Sequence, residues 1–344
     1  MSVSDDSEED SSVLNAPSED PLDRDYEELD PDTYGMGITA IVKDSYWLVH
    51  GRGNRPARTL QFISAMTLIA FTIFLQGYFI WELQNLVSSV AVTRARHIYG
   101  EYELNMYEEG HLYNNSAGHP RGEGGVNGPY FNEANFKGLS TDFKTKICSI
   151  PFSQPGFFSA VLLIWTLTVM NSLKRTAELM YHFLWLTPTC SGLKQMLKPG
   201  EENTTIVRRL TCPVKFAIFG LIGVPRTVMN IILLWRGTRY LAATFSFADL
   251  LLNAIALEFI LLLKDLLWMV VISDRNKREV ANLRYVAQTR LGKVSGMNYV
   301  ASWSWLVLSM AYVGLYFRFQ QTMPDYNWDV KDVCKKHLEW LSRG

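Results

Sequence analysis

The feature that most constrains this chain is a set of five apolar runs, each long enough to cross a lipid bilayer. A hydrocarbon core about 30 Å thick requires roughly 20 helical residues. The runs cover about residues 60–80, 157–173, 214–235, 247–272 and 299–317. The sequence therefore predicts an all-α integral membrane protein with five transmembrane helices in residues 60–318, and the lipid bilayer is its first expected partner.

The amino-terminal segment is strongly acidic. Residues 1–33 contain thirteen carboxylates and one arginine, which leaves a net charge of +11 on the remaining 311 residues. So few apolar side chains cannot offset the cost of ordering the backbone. The segment also lacks the basic start and apolar stretch of a secretory signal. We predict a disordered acidic cytoplasmic tail over 1–33, followed by a juxtamembrane segment over 34–59.

The distribution of lysine and arginine predicts the orientation. Seventeen of these residues lie before the first run, between the second and third, and between the fourth and fifth. Twelve lie in the other connections and in the carboxyl-terminal tail, spread over more residues. Positive residues are retained on the cytoplasmic side. The amino terminus should therefore be cytoplasmic and the carboxyl terminus outside, in a membrane of the secretory pathway or the plasma membrane.

Two segments are then expected outside the cytoplasm. The 92–156 loop is too long and varied for a simple connector, so we predict a small extracytoplasmic cap, with an amphipathic helix from the 319–344 tail packed on it. Asn114 begins an Asn-x-Ser acceptor in this loop and should carry a glycan. The Asn203-Thr204-Thr205 acceptor lies on the inner side and should stay unmodified.

The four cysteines divide between the two sides. Cys148 and Cys334 fall outside, where an oxidising compartment permits a disulfide, whereas Cys190 and Cys212 fall inside. A Cys148–Cys334 bridge would tie the 92–156 loop to the carboxyl-terminal tail. Two separate free thiols are the alternative.

Ionisable side chains inside the spans are the most informative feature, because they are costly there and face a partner or water. The third span contains Arg226, and the fourth contains Asp249, Asn253, Glu258, Lys264 and Asp265. With a rise of about 1.5 Å per residue, Arg226 lies roughly 18 Å and Glu258 roughly 22 Å from the inner ends of their spans. We predict an Arg226–Glu258 pair, with Asp265 as the alternative partner, and a central position for the fourth span.

Two functions follow from these charges. One is a channel- or transporter-like protein, in which Glu258 faces the ion, Arg226 is its counter-ion, and Lys264 and Asp265 form a second polar layer. The other is a non-catalytic structural or assembly subunit, in which buried polar pairs only dock helices. Five spans are few for a self-sufficient transporter, which favours a homo-oligomer or a complex with other membrane subunits.

An enzyme is not supported by the sequence. The six histidines are scattered without zinc-ligand spacing, and there is no P-loop, Gly-x-Ser-x-Gly or His-Glu-x-x-His motif. No catalytic residue, cofactor or metal is therefore expected. The basic clusters lie beside the span ends, which fits orientation and anionic lipid better than nucleic acid.

Overall fold

The computed structural model describes residues 26–50, 55–108, 110–116, 118–125, 128–200, 204–286, 296–319 and 322–341. The protein is mostly helical (75%). In chain order the α-helices are α1 Thr33–Thr39, α2 Ser45–His50, α3 Arg55–Glu82, α4 Ser89–Met106, α5 Glu133–Gly138, α6 Thr141–Cys148, α7 Pro155–Tyr181, α8 Cys212–Ile218, α9 Val224–Ala242, α10 Phe247–Val271, α11 Asp274–Ala281, α12 Gly296–Phe319 and α13 Val330–Leu341. Continuous helix through π-helical turns joins α1 to α2 (Ala40–Asp44), α3 to α4 (Leu83–Ser88) and α8 to α9 (Phe219–Gly223), and extends α7 (His182–Leu186).

Short strands lie between these helices. They are β1 Tyr26–Glu28, β2 Leu112–Asn114, β3 Pro120–Gly122, β4 Thr189–Cys190, β5 Leu197–Pro199, β6 Thr205–Val207, β7 Leu210–Thr211 and β8 Leu283–Val286. One sheet has the order β1-β8-β6-β5, β2 and β3 form an antiparallel hairpin, and β4 pairs with β7 in parallel. The expectation of a wholly helical chain therefore holds for the long elements but not for their connections.

Four helices in the described part of the chain are long and apolar enough to cross a membrane. They are Arg55–Met106, Pro155–Leu186, Cys212–Ala242 and Tyr299–Phe319. The fourth expected span, over 247–272, forms α10, which has 25 residues. Its charged side chains, Asp249, Glu258, Lys264 and Asp265, are what separate it from the other four.

The long helices alternate in direction between two buried apolar clusters. Helix α3 contributes Ala65 to one cluster and Ile80 to the other, and α7 with its extension runs back from Phe158 to Phe183. Helices α9 and α10 alternate in the same way. We call the end that holds α1, α11 and the four-stranded sheet the sheet end. The opposite end, which holds α6, α13 and the β2–β3 hairpin, is called the disulfide end.

Helix α1 lies inside the bundle. All of its residues are buried, and it packs against α3, α10 and α11. Gly37 permits this approach, because a Cβ atom there would collide with Ile69 on α3. The predicted tail boundary at residue 33 therefore lies too far along the chain, since β1 and the cap of α1 precede it; residues 1–25 of the predicted tail lie outside the described residues. The first part of the predicted juxtamembrane segment, 34–42, is likewise buried in the core between the long helices.

Buried carboxylates fasten the disulfide end. Asp329 accepts hydrogen bonds from the hydroxyls of Tyr99 (3.0 Å) and Tyr107 (3.3 Å), and Glu103 accepts one from the Gly122 N–H (2.6 Å). Burial raises the pKa of Asp329 to about 6. These bonds attach the segment before α13 to α4 and the residue that follows it, and they attach α4 to the β2–β3 hairpin. As expected for the carboxyl-terminal tail, α13 packs against α6.

Candidate functional site

Arg226 finds its counter-charge in the amino-terminal segment. It is 3% exposed on α9, its Nη1 lies 3.5 Å from Asp32 Oδ2, and its guanidinium lies 5.1 Å from the centre of the Tyr34 ring. Asp32 is 2% exposed and caps α1, because its Oδ1 accepts a hydrogen bond from the Gly35 N–H at 2.7 Å. One carboxylate therefore both starts α1 and neutralises the cation on α9.

A second cation shares the same carboxylate. Lys264 Nζ on α10 donates to Asp32 Oδ2 at 3.2 Å and to Asp265 Oδ1 at 2.8 Å. The four side chains Arg226, Asp32, Lys264 and Asp265 thus alternate in sign, and we call them the charge junction. Burying single ions costs several kcal/mol each, and alternation reduces that cost because each ion faces an opposite charge.

Neutral polar groups extend the charge junction across the bundle. The Tyr34 hydroxyl donates to Gln76 Oε1 (3.2 Å), and Gln76 Nε2 donates to the Ile260 carbonyl (3.1 Å). Asn230 Nδ2 donates to Ser172 Oγ (3.1 Å). These bonds tie α1, α3, α7, α9 and α10 at one level. The inserted segment therefore contacts α3, α9 and α10 through polar groups at this layer, and α7 joins the layer through α9.

A small cavity lies within this layer. Its volume is about 10 Å³, which is room for a single water molecule, and Tyr34, Arg226 and Lys264 are among its lining residues. Two donors of Arg226, Nε and Nη1, make no hydrogen bond within the described protein. The arrangement can hold a proton or a water molecule between opposite charges.

Glu258 does not pair with Arg226, and this prediction is wrong. The two residues lie at similar depth along their helices, which permitted the pair. The guanidinium of Arg226 pairs with Asp32 instead, and Glu258 lies on a different face of α10. Glu258 and Lys264 are six residues apart, so their side chains lie about 120° apart around α10. Lys264 contacts the amino-terminal segment, whereas Glu258 is exposed beside Ile255 (63% exposed) and Leu262 (45%).

The predicted central position of the fourth span is corrected in the same way, since one face of α10 is exposed. Its two remaining polar residues lie toward the disulfide end. Asn253 Nδ2 donates to Thr244 Oγ1 at 3.1 Å, and Asp249 is exposed in the first turn, where its N–H donates to Ser246 Oγ at 3.5 Å. The structure thus brings Arg226, Lys264 and Asp265 together and leaves Glu258, Asn253 and Asp249 outside.

Asp32 is the functional residue that sequence reasoning missed, because it was assigned to the acidic tail. A signal was present. Asp32 precedes a run over residues 34–42 in which Thr39 is the only clearly polar side chain. An acidic cap before an apolar run predicts the start of a buried helix.

The remaining predicted sites lie at or near the disulfide end. Asn114 is exposed on β2, and Cys148 and Cys334 form a disulfide across 186 residues. Cys190 and Cys212 are free, the former buried and the latter exposed. Asn203, the second acceptor, lies outside the described residues.

The chemistry of the charge junction is that of a buried ion pair network. Among the residues that the structure describes, no group of three or more His, Cys, Asp or Glu side chains could hold a metal ion. The donors of the charge junction and its layer are guanidinium, ammonium, phenol and amide groups, which bind water or anions, and its carboxylates can accept a proton. Comparison of the chain with protein-family models, curated proteins and solved structures finds no match.

Proposed function

We propose that α3, α7, α8–α9, α10 and α12 each cross a bilayer, with the sheet end in the cytoplasm and the disulfide end outside. Four of these helices are apolar enough by themselves. For α10 the argument is that Lys264 and Asp265 form an ion pair with each other, in a network that Asp32 and Arg226 complete without net charge. The orientation rests on the excess of basic residues toward the sheet end and on the Cys148–Cys334 disulfide, which an oxidising compartment maintains.

Glycan mapping tests this topology. Asn114 is exposed at the disulfide end, so we expect the chain expressed in eukaryotic cells to carry one glycan that endoglycosidase removes and that Asn114→Gln abolishes. Asn203→Gln is the matched control and should leave the glycan in place. A glycan lost in Asn203→Gln and kept in Asn114→Gln would reverse the proposed orientation.

We further propose that the protein is channel- or transporter-like and that α1 closes the cytoplasmic half of its pathway. The observation that carries this proposal is the position of Asp32, which provides the counter-charge for both Arg226 and Lys264. If α1 left the bundle, both cations would face the vacated space beside Gln76. A cationic, water-filled space open to the cytoplasm would then admit anions or relay protons.

The use of charges at this contact supports a movable element. Well-packed apolar side chains of similar volume often replace a buried ion pair without loss of stability, so a permanent helix contact has no need of one. Ionisable groups inside membranes commonly mark ion pathways. Directly beyond the charge junction, Leu257, Leu233 and Trp165 form a buried apolar layer. We infer that this apolar layer is the outer barrier and that α1 is the inner one.

Ion flux into liposomes that contain the purified chain tests the proposal. Asp32→Asn removes the shared counter-charge, which is worth several kcal/mol in a buried pair, so we expect flux to rise at least about tenfold. Asp30→Asn is the matched control, because Asp30 is a more exposed carboxylate 3.9 Å from Arg175 and should leave flux unchanged. Gly37→Val displaces α1 against Ile69 without a change of charge and should also raise flux. If Asp32→Asn and Gly37→Val both fold but show no flux of cations, anions or protons, a conduction pathway would be rejected.

Glu258 supports the second candidate, a structural or assembly subunit. Its carboxylate is exposed among the exposed apolar side chains of α10, including Ile255 and Leu262. Contact with lipid would be costly at that position, so a second copy or another membrane subunit would cover it. The flux experiment separates the two functions, since a docking subunit stays silent in every variant.

A further inference from the structure

A large polar cavity lies at the sheet end, apart from the charge junction. Its volume is about 620 Å³, and residues before and within α3 and at the start of α11 line it. Three of the lining residues are arginines, Arg55, Arg58 and Arg275, and Trp47 lies beside them. We call it the arginine cavity. No residue of the charge junction lines it, so the proposed pathway does not account for it.

The arginine cavity has more positive charge than its carboxylates neutralise. Arg58 Nη1 lies 3.2 Å from Asp44 Oδ1 and 3.5 Å from Glu279 Oε2, and Arg275 Nε lies 3.7 Å from Glu279 Oε1. Arg55 makes no ion pair with the part of the chain that the structure describes. Lys43 Nζ also lies 3.9 Å from Glu279 Oε2, so four cations lie beside two carboxylates here. The surplus of two positive charges therefore favours a ligand with more than one negative charge.

The cavity opens beside the start of an apolar exposed face. Leu60, which lines it, is 69% exposed, and Ile63, one turn later on α3, is 54% exposed. Trp47 is 43% exposed. Tryptophan is typical of the membrane–water boundary, and Leu60 begins the first predicted span. A molecule in the cavity could therefore place a polar head among the arginines and an apolar chain along Leu60 and Ile63.

We propose that the arginine cavity binds an anionic phospholipid whose headgroup has a phosphomonoester. Such a group has a charge of about −1.5 to −2 at neutral pH. This charge matches the surplus of positive charge at the cavity better than the single charge of a phosphodiester does. Guanidinium donors fit phosphate oxygens in pairs. Basic pockets on the cytoplasmic side of membrane helices bind headgroups of this kind. The inference uses the proposed membrane topology but not the proposed conduction.

The test uses the full chain purified in detergent, with binding of dioctanoyl phosphatidate measured by calorimetry. We expect Arg55→Gln to weaken binding about fivefold and Arg55→Gln with Arg275→Gln about 25-fold, from the contribution of each basic side chain near a membrane surface. Arg278→Gln is the matched control, because Arg278 is an exposed arginine on α11 that does not line the cavity. It should bind as wild type does.

Three outcomes would overturn the proposal. Equal weakening in Arg278→Gln would mean general charge attraction, and equal affinity for dioctanoyl phosphatidylglycerol would remove the role of the phosphomonoester. Equal affinity for inorganic phosphate would make the cavity a site for a free anion rather than a lipid. Because binding is measured in detergent, its failure is independent of glycan mapping, which tests the topology separately.

Discussion

Arg226→Leu should lower the free energy of unfolding by about 3–5 kcal/mol, the usual cost of removing one partner from a buried ion pair. The variant leaves Asp32 with Lys264 alone and removes the guanidinium from the face of Tyr34. Denaturant titration of the purified chain in detergent would measure the loss. Arg236→Leu, ten residues along the same helix and half-buried, is the matched control and should cost less than about 1 kcal/mol, as most substitutions outside a buried network do.

A double-mutant cycle shows whether the loss belongs to the pair. Arg226→Gln and Asp32→Asn should be coupled by about 1–3 kcal/mol, because residues in one ion network are not additive. Additivity within about 0.5 kcal/mol would mean that the two side chains contribute separately, and Arg226 would then be important for packing rather than for its charge.

Removal of the Cys148–Cys334 disulfide should lower the stability of the disulfide end by about 2–5 kcal/mol. The bridge spans 186 residues of sequence, so it restricts the unfolded chain strongly. Both cysteines are buried, and their Cα atoms lie 5.3 Å apart. Thermal unfolding of Cys148→Ser with Cys334→Ser, followed in detergent, would measure the effect.

The free cysteines provide the control for this experiment. Cys212→Ser changes an exposed thiol that makes no disulfide, and it should leave the midpoint temperature of thermal unfolding unchanged. Treatment of wild type with reductant should reproduce the double serine variant. If reductant lowered the midpoint of the double variant as well, the loss would have a source other than this bridge.

The long helices were accessible to sequence reasoning because their apolar runs exceed what a loop can contain. The helices extend beyond the apolar runs. The second run ends at about residue 173, whereas its helix continues to Leu186. The charged residues Lys174, Arg175 and Glu178 end the apolar run but favour helix, and no proline interrupts it before Pro188. Hydropathy therefore located the helices, and the extent of this helix follows from the helix-favouring residues beyond the run.

The sequence did not show which charged side chains pair with each other. Depth can be counted along a helix, and by that measure Arg226 and Glu258 match. Direction around the helix axis depends on how α10 packs, and that packing turns Lys264 inward and Glu258 outward. The true partner, Asp32, lies nearly 200 residues earlier in the chain, in a segment whose acidic composition suggested disorder.

The sequence by itself determined that long apolar helices form, how many charges they contain, and which cysteines could meet in an oxidising compartment. Those properties follow from local composition and from counting along the chain. Only the tertiary structure decided that α1 inserts among the spans and that Asp32 joins Arg226 to Lys264. The physical reason is that a charge is buried at low cost only beside an opposite charge. Which opposite charge is near depends on helix rotation and packing.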